Sequence, residues 1–415
     1  YSSLVLNTSF TIIKSFGSNE INELNFYPDS EVRKIINPIK YFRTKEFTKQ
    51  NIVVLILESF SKEYIGALNP SNKGYTPCLD SLIHNSLCFT NAFANGKTSI
   101  DGIPAVVASI PAWMNDPFIT SPYSINNITS LASTLKKINY NSSFFHGGSN
   151  GTMGFDAFCK LTGYNNYYGR NEYNNEADFD GNWGIWDEPF LQFTANKINT
   201  FHQPFLATIF TLNSHHPYLI PDKYKNKFKG GKLEIEKCIA YSDYSLKRFF
   251  ETSQKMSWFK NTLFVLCADH TGVSNDEFYT NRIGNYSIPI IYYMPSDTLR
   301  RMDSTVTQQI DIMPSVLNYM NYPLPYYSLG KSVFDSTQQH FAMTYANSNF
   351  SFIERNYVLQ FNGNKSVDLY DYYLDKMLTD NLITKDQKFA SQMELMTKAI
   401  LQTYQQAMIN NQMHN

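Results

Sequence analysis

Apolar residues along this chain fall into short continuous runs separated by amphipathic stretches, and that alternation sets the expected fold. Residues 51–57 (NIVVLIL), 141–145, 205–212, 262–268 (TLFVLCA) and 288–293 are strand-length runs rich in β-branched and aromatic residues. Continuous rather than alternating apolarity predicts strands buried on both faces, as in a parallel sheet. Helical patterns lie between them. Thr76-Pro77 places an N-cap before Pro at the first helical position, with Leu79, Leu82, Ile83 and Leu87 on one face. Residues 128–138, 234–250 and 310–319 also read as helices, and 103–110 does so despite Pro104. This spacing predicts an α/β fold, with a mostly parallel central sheet and helices on both faces.

After about residue 340 the texture changes. Residues 341–345 and 357–361 read as short strands around an Asn- and Ser-rich turn, and a long polar helix is predicted over 385–408. The expected division is an N-terminal extension over 1–45, a catalytic α/β domain over 46–340 and a small antiparallel subdomain over 341–415. The loops between 147 and 185 are turn-rich, and no internal repeat is visible. No apolar run approaches the roughly 18 residues that span a bilayer. The chain starts at Tyr1 rather than Met, so an upstream signal peptide or membrane anchor is expected to have been removed.

Composition narrows the function classes. With 415 residues, 43% of them hydrophobic, the chain can bury a full core. Its 35 basic and 36 acidic residues leave a net charge of -1, which gives no general attraction to nucleic acid. The five cysteines are odd in number and form no C-x-x-C pair, so neither a disulfide framework nor a thiolate zinc site is signalled. Cys78 and Cys88 flank one predicted helix and can pair only in an oxidising compartment. Abundant Tyr (29) and Phe (31) suit carbohydrate or lipid headgroups, but alone they decide nothing.

The chemistry sits at the ends of the predicted strands. Glu58 closes VVLILESF, Asp269-His270 closes LFVLCADHTG, and Thr98 lies in NGKTSIDG just before a predicted helix. Open α/β sheets bind ligands beyond the carboxyl ends of their strands. Two carboxylates, an imidazole and a hydroxyl suffice to hold one divalent cation, with the hydroxyl poised as a nucleophile. The helix N-terminus after Thr98 favours an anion such as phosphate or sulfate. Singly, each residue has an ordinary reading: Glu58 as a strand terminus, Thr98 as a helix cap, Lys97 as an exposed loop lysine. As part of the constellation, Lys97 is a cationic helper for substrate. His146 in FFHGG and His215 in TLNSHHPY also end strands and are candidate substrate contacts, with His216 an alternative to His215.

Taken in order, strand-Glu58-Ser59, TPCLDSL, GKTS, strand-His146-Gly147, SHHPY, ADHTG and IDIMPS resemble a known family. It is the lipoteichoic acid synthase and phosphoglycerol transferase branch of the sulfatase and alkaline phosphatase superfamily, and the likeness covers about residues 50–320. DLYDYYLDKMLTDNL is similar to the C-terminal signature of sulfatases. The resemblance implies that Glu58, Thr98, Asp269 and His270 hold one divalent metal ion, with Thr98 the nucleophile and His215 a substrate contact. It further implies Mn2+, or Zn2+ as in related phosphoethanolamine transferases. A phospholipid donor gives its headgroup to a glycan or lipid acceptor through phosphothreonine, in a membrane-anchored enzyme facing outward from the bacterial cytoplasmic membrane. Two departures matter. Thr98-Ser99-Ile100-Asp101-Gly102 lacks the C/S-x-P-x-R motif of true sulfatases. GTMGFDAF also puts Met153 and Phe155 where synthases carry the Trp and Arg that grip glycerol phosphate. Phosphoethanolamine transfer, a phosphodiesterase or phosphatase activity, and a non-catalytic envelope protein stay open as alternatives.

Overall fold

The computed structural model describes residues 21–42, 45–71, 73–297 and 299–415. About half of the expected extension over 1–45, including residues 1–20, therefore lies outside the described residues. Its described part contains helix α1 (Asp29–Ile35) and the strand Ile39–Lys40, which pairs with Tyr326–Tyr327.

Among the described residues the central sheet has eight strands: β1 (Asn51–Leu57), β2 (Leu87–Phe89), β3 (Asn141–His146), β4 (Asn166–Tyr168), β5 (Phe205–Phe210), β6 (Thr262–Ala268), β7 (Ile290–Tyr293) and β8 (Arg301–Asp303). Their spatial order is β8-β2-β7-β6-β1-β5-β3-β4. Every pairing is parallel except the two made by β7. Strands β1, β5 and β6 are buried at every position, which requires cover on both faces of the sheet. One helical group is α2 (Pro77–Ile83), α5 (Asp187–Ile198) and α6 (Ile235–Ser253); the other is α3 (Ser99–Ala108), α4 (Leu131–Lys136) and α7 (Ile312–Tyr319). The expected α/β architecture is the observed one.

Register then sets the site. Leu57 pairs with Ala268, so the next residues, Glu58 and Asp269, emerge side by side at the carboxyl ends of β1 and β6. Ile56 pairs with Phe210, which brings the loop after β5 against the same point.

Some local expectations shift. Leu87 does not continue a helix face; it opens strand β2, which lies between β8 and β7. The helix expected over 128–138 is shorter, because Ser130 and Ser133 form a reciprocal capping box that starts α4 at Leu131. The C-terminal strands β9 (Ala342–Ala346), β10 (Asn349–Glu354), β11 (Tyr357–Phe361) and β12 (Ser366–Asp371) form an antiparallel sheet joined by tight turns. The last helix, α8 (Gln387–Ile409), is not polar all round: Met393, Ile400, Leu401, Tyr404 and Met408 are buried along it. Tyr404 packs edge-on against Trp113 at 5.3 Å, and Gln402 bonds the backbone of Phe26 and Tyr27. One continuous apolar core contains residues of both sheets.

Candidate active site

Glu58 and Asp269 are fully buried, which is costly for two adjacent carboxylates. Burial and the neighbouring Asp269 charge push the Glu58 carboxyl well above its usual range, against hydrogen bonds from Ser59 and Ser99. Asp269 Oδ1 accepts the backbone N–H groups of Ser59 (2.8 Å) and His270 (2.7 Å). Its Oδ2 accepts no hydrogen bond and lies 3.2 Å from His270 Nε2. Glu58 Oε1 lies 3.6 Å from the same nitrogen.

The imidazole is oriented by its other nitrogen. His270 Nδ1 sits 2.9 Å from the Thr271 carbonyl, which can only accept, so Nδ1 carries the proton. Nε2, the nitrogen left to serve as a ligand, faces the two carboxyl groups. One ligand atom from each of Glu58, Asp269 and His270 lies within 4.8 Å of the others. With both carboxyls ionised and the ring neutral, three lone pairs converge, and this oxygen–oxygen–nitrogen set suits a divalent ion. The residues therefore fit the metal that the sequence implies.

Helix α3 delivers the hydroxyls. It can approach because position 102 is glycine: a Cβ there would come within 2.4 Å of the Asp269 carbonyl oxygen. Thr98 is the N-cap residue, yet its side chain makes no capping bond. It is exposed and donates instead to Asp101 Oδ2 at 2.6 Å. The hydroxyl that reaches the cluster is that of Ser99, 3.0 Å from Glu58 Oε2 and 3.4 Å from His270 Nε2. The structure thus brings Glu58, Asp269 and His270 together, with Thr98 one residue outside and Ser99 touching two of the three. Ser99 stands in the GKTS motif, so its signal was present but indistinguishable from that of its neighbour.

The other expected contacts divide. Lys97 Nζ is 2.7 Å from both Thr271 Oγ1 and the Asn285 carbonyl, and burial lowers its pKa to about 8. It is neither a free loop lysine nor an uncommitted cation; it ties the loop before Thr98 to the loop after His270. His215 is half-buried, and Ser214 beside it donates to the Glu58 carbonyl. The indole of Trp183 packs on His215 with ring centroids 4.3 Å apart, and its Nε1 donates to the His216 carbonyl. An aromatic residue is therefore present beside His215, from a segment some thirty residues beyond Met153, too far along the chain for local pattern reading. His146 is buried, stacked on Phe210 at 4.9 Å, and bonded to Tyr167. Burial lowers its pKa to about 3, so the ring is neutral. All five cysteines are free thiols.

Known proteins share this arrangement of sequence and fold. Residues 50–322 match the Sulfatase family model. The chain is 22% identical over 294 residues to lipoteichoic acid synthase-like YvgJ of Bacillus subtilis, which covers 65% of this chain and 47% of that protein. It is 25% identical over 293 residues to lipoteichoic acid synthase 1 of the same organism (65% and 45%), and 25% over 251 residues to phosphoglycerol transferase I of Escherichia fergusonii (56% and 32%). The chain thus spans less than half the length of these curated relatives. Among solved structures, an alkaline phosphatase superfamily protein from Vibrio parahaemolyticus superposes with a TM-score of 0.82 at 21% identity, covering 95% of this chain and 99% of its own. The lipoteichoic acid synthase LtaP from Listeria monocytogenes gives 0.77 at 19%, covering 92% and 98%. With the family model spanning β1 to α7 and these relatives beside it, the chain belongs to the sulfatase family, in its lipoteichoic acid synthase and phosphoglycerol transferase branch.

Proposed function

We propose that this chain is the catalytic part of a metal-dependent transferase. It moves a phosphoglycerol-type headgroup from a membrane phospholipid to an envelope glycan or lipid acceptor, at the outer face of the bacterial cytoplasmic membrane. The observation that carries the reading is the cluster of Glu58, Asp269 and His270 with an unpaired Asp269 oxygen, one residue from a threonine hydroxyl that caps nothing. The names of the relatives support the transferred group.

Glu58, Asp269 and His270 would hold the divalent ion, Mn2+ in preference to Zn2+, with Thr98 beside it. When bound, the ion lowers the cost of deprotonating a hydroxyl and neutralises charge on phosphoryl oxygens. Thr98 Oγ1 forms the bond to phosphorus, and the diacylglycerol oxygen leaves. Asp101 Oδ2 already accepts the Thr98 hydroxyl and is placed to take its proton. Asp101 passes that proton to the departing diacylglycerol oxygen; an acceptor hydroxyl then displaces Thr98, and the acceptor's proton passes through Asp101 to Thr98 Oγ1. The α3 N-terminus faces the anion, and His215 with Trp183 bounds the headgroup.

Mass spectrometry of protein quenched with phosphatidylglycerol tests this. A glycerol-phosphate adduct on Thr98 is expected; the same adduct on Ser99, or none on either, overturns it. Release of free glycerol phosphate at equal rate with and without acceptor would favour hydrolysis over transfer.

A further inference from the structure

A cleft of about 860 Å3 is walled by Lys62, Glu63 and Tyr64 from the segment after β1 and by Asn275, Asp276 and Phe278 from the segment after β6. Tyr75, Tyr279 and Tyr372 line it, together with Lys73, Lys232 and Lys376. Glu63, Asp276 and Glu236 each accept at least one hydrogen bond from the protein. Glu63 takes the Ser274 hydroxyl, Asp276 caps the N–H groups of Phe278 and Tyr279, and Glu236 takes the Leu233 N–H. The lysines carry no such partner among the described hydrogen bonds and ion pairs.

The rim of this cleft is the turn after β12, and it breaks the usual surface rule. Tyr373 is 66% exposed, Leu374 80% and Met377 47%, three large apolar side chains within five residues. Isolated exposed apolar residues are ordinary; a cluster marks a binding surface. The turn is well fixed: Asp371 Oδ1 accepts the N–H groups of Tyr373 and Leu374, Asp375 Oδ2 those of Thr379 and Asp380, and Asn281 holds the Lys376 carbonyl. Its acidic side chains thus face their own backbone, while its apolar ones face solvent.

We propose that this rim is a membrane-contact surface. Tyr373, Leu374 and Met377 enter the interfacial layer of an anionic phospholipid bilayer, and Lys73, Lys232 and Lys376 meet its headgroup phosphates. A short apolar tip with a tyrosine at the water boundary and lysines behind it has the composition of an interfacial anchor. This deepens the transferase reading by naming how the lipid donor is met, and rests on it to that extent.

The test is co-sedimentation of the whole chain with vesicles of equal phosphatidylglycerol and phosphatidylcholine, against phosphatidylcholine alone. The wild type is expected to prefer the anionic vesicles, and the double variant Tyr373→Ser, Leu374→Glu to bind them at least tenfold more weakly with an unchanged melting temperature. A second variant, Lys73→Glu with Lys376→Glu, is expected to lose the preference for anionic lipid. Headgroup release from detergent-dispersed phosphatidylglycerol should be unchanged in both. Wild-type protein that ignores anionic vesicles, variants that bind like wild type, or a dimer in solution that the apolar substitutions dissolve would each overturn the proposal. Sedimentation needs no turnover, so an inactive wild type that still binds vesicles would sink the transferase reading alone.

Discussion

Two kinds of buried carboxylate in this molecule have opposite hydrogen-bond economies. Asp187, Asp243 and Asp311 are buried, and both oxygens of each are occupied. Asp187 takes the N–H groups of Leu212 and Asn213 and the Ser242 hydroxyl, Asp243 those of Cys78 and Leu79 at the start of α2, and Asp311 those of Lys331 and Gln308. These side chains pin loops and helix ends. At the carboxyl ends of β1 and β6, Asp269 instead leaves Oδ2 unpaired, beside Glu58 and an imidazole lone pair. Glu354 is also short of hydrogen bonds, but Arg355 Nε stands 3.9 Å away. A carboxylate saturated by amides is architecture; a pair that keeps an oxygen free with no cation beside it has the lone pair that a cation site needs.

The contrast can be broken by substitution. Asp269→Asn or Glu58→Gln should lower turnover by roughly a thousandfold or more, as expected for a group acting with its partners as one unit. Either change should raise the melting temperature of metal-free protein, because it replaces one of two crowded buried carboxyl groups by a neutral amide; calorimetry in chelator reads this. Thr98→Ala should match that loss of turnover with metal content unchanged, whereas Ser99→Ala, which removes the contacts to Glu58 and His270, should cost about 10- to 100-fold. If the two effects are reversed, the nucleophile is Ser99. Asp311→Ala should leave metal content intact but destabilise the fold by about 3 kcal/mol, because two buried N–H groups lose their acceptor.

The smallest effect is one of pH. Burial raises the Asp311 carboxyl to about 7. The folded state therefore keeps a proton that the unfolded chain has lost, and this group's contribution to stability falls as pH rises from about 4 to 7, then levels off. Asp311→Asn should flatten that part of the profile in denaturant titrations at pH 5 and pH 8. An unchanged profile would show that the Lys331 and Gln308 amides hold the carboxylate ionised throughout.

Much of this was legible in the residues, and for physical reasons. Strands β1 and β6 have the bounds their apolar runs announce, because burial on both faces demands continuous apolarity. Strand β11 likewise spans Tyr357–Phe361 as read. Strands β2, β4 and β8 were missed: three residues carry no period. Helix α8 read as polar because its buried stripe is interleaved with Gln and Thr, two of which are themselves buried. At the site, Glu58, Asp269 and His270 converge because register makes strand ends level, which sequence order alone anticipates. The histidines resist such reading. His146 and His215 both end β-runs, yet one stacks under Phe210 and the other beside Trp183, a choice made by tertiary packing. The hydroxyl choice between Thr98 and Ser99 depends on a helix phase that the motif does not encode.

Equilibrium dialysis of metal-free protein against Mn2+ tests the account most directly. Wild type and Asp311→Asn should each take up one ion per chain with similar affinity, and Asp269→Asn should take up none at the same free concentration. Equal uptake by Asp269→Asn and wild type would place the cation elsewhere and leave the unpaired oxygen without a function.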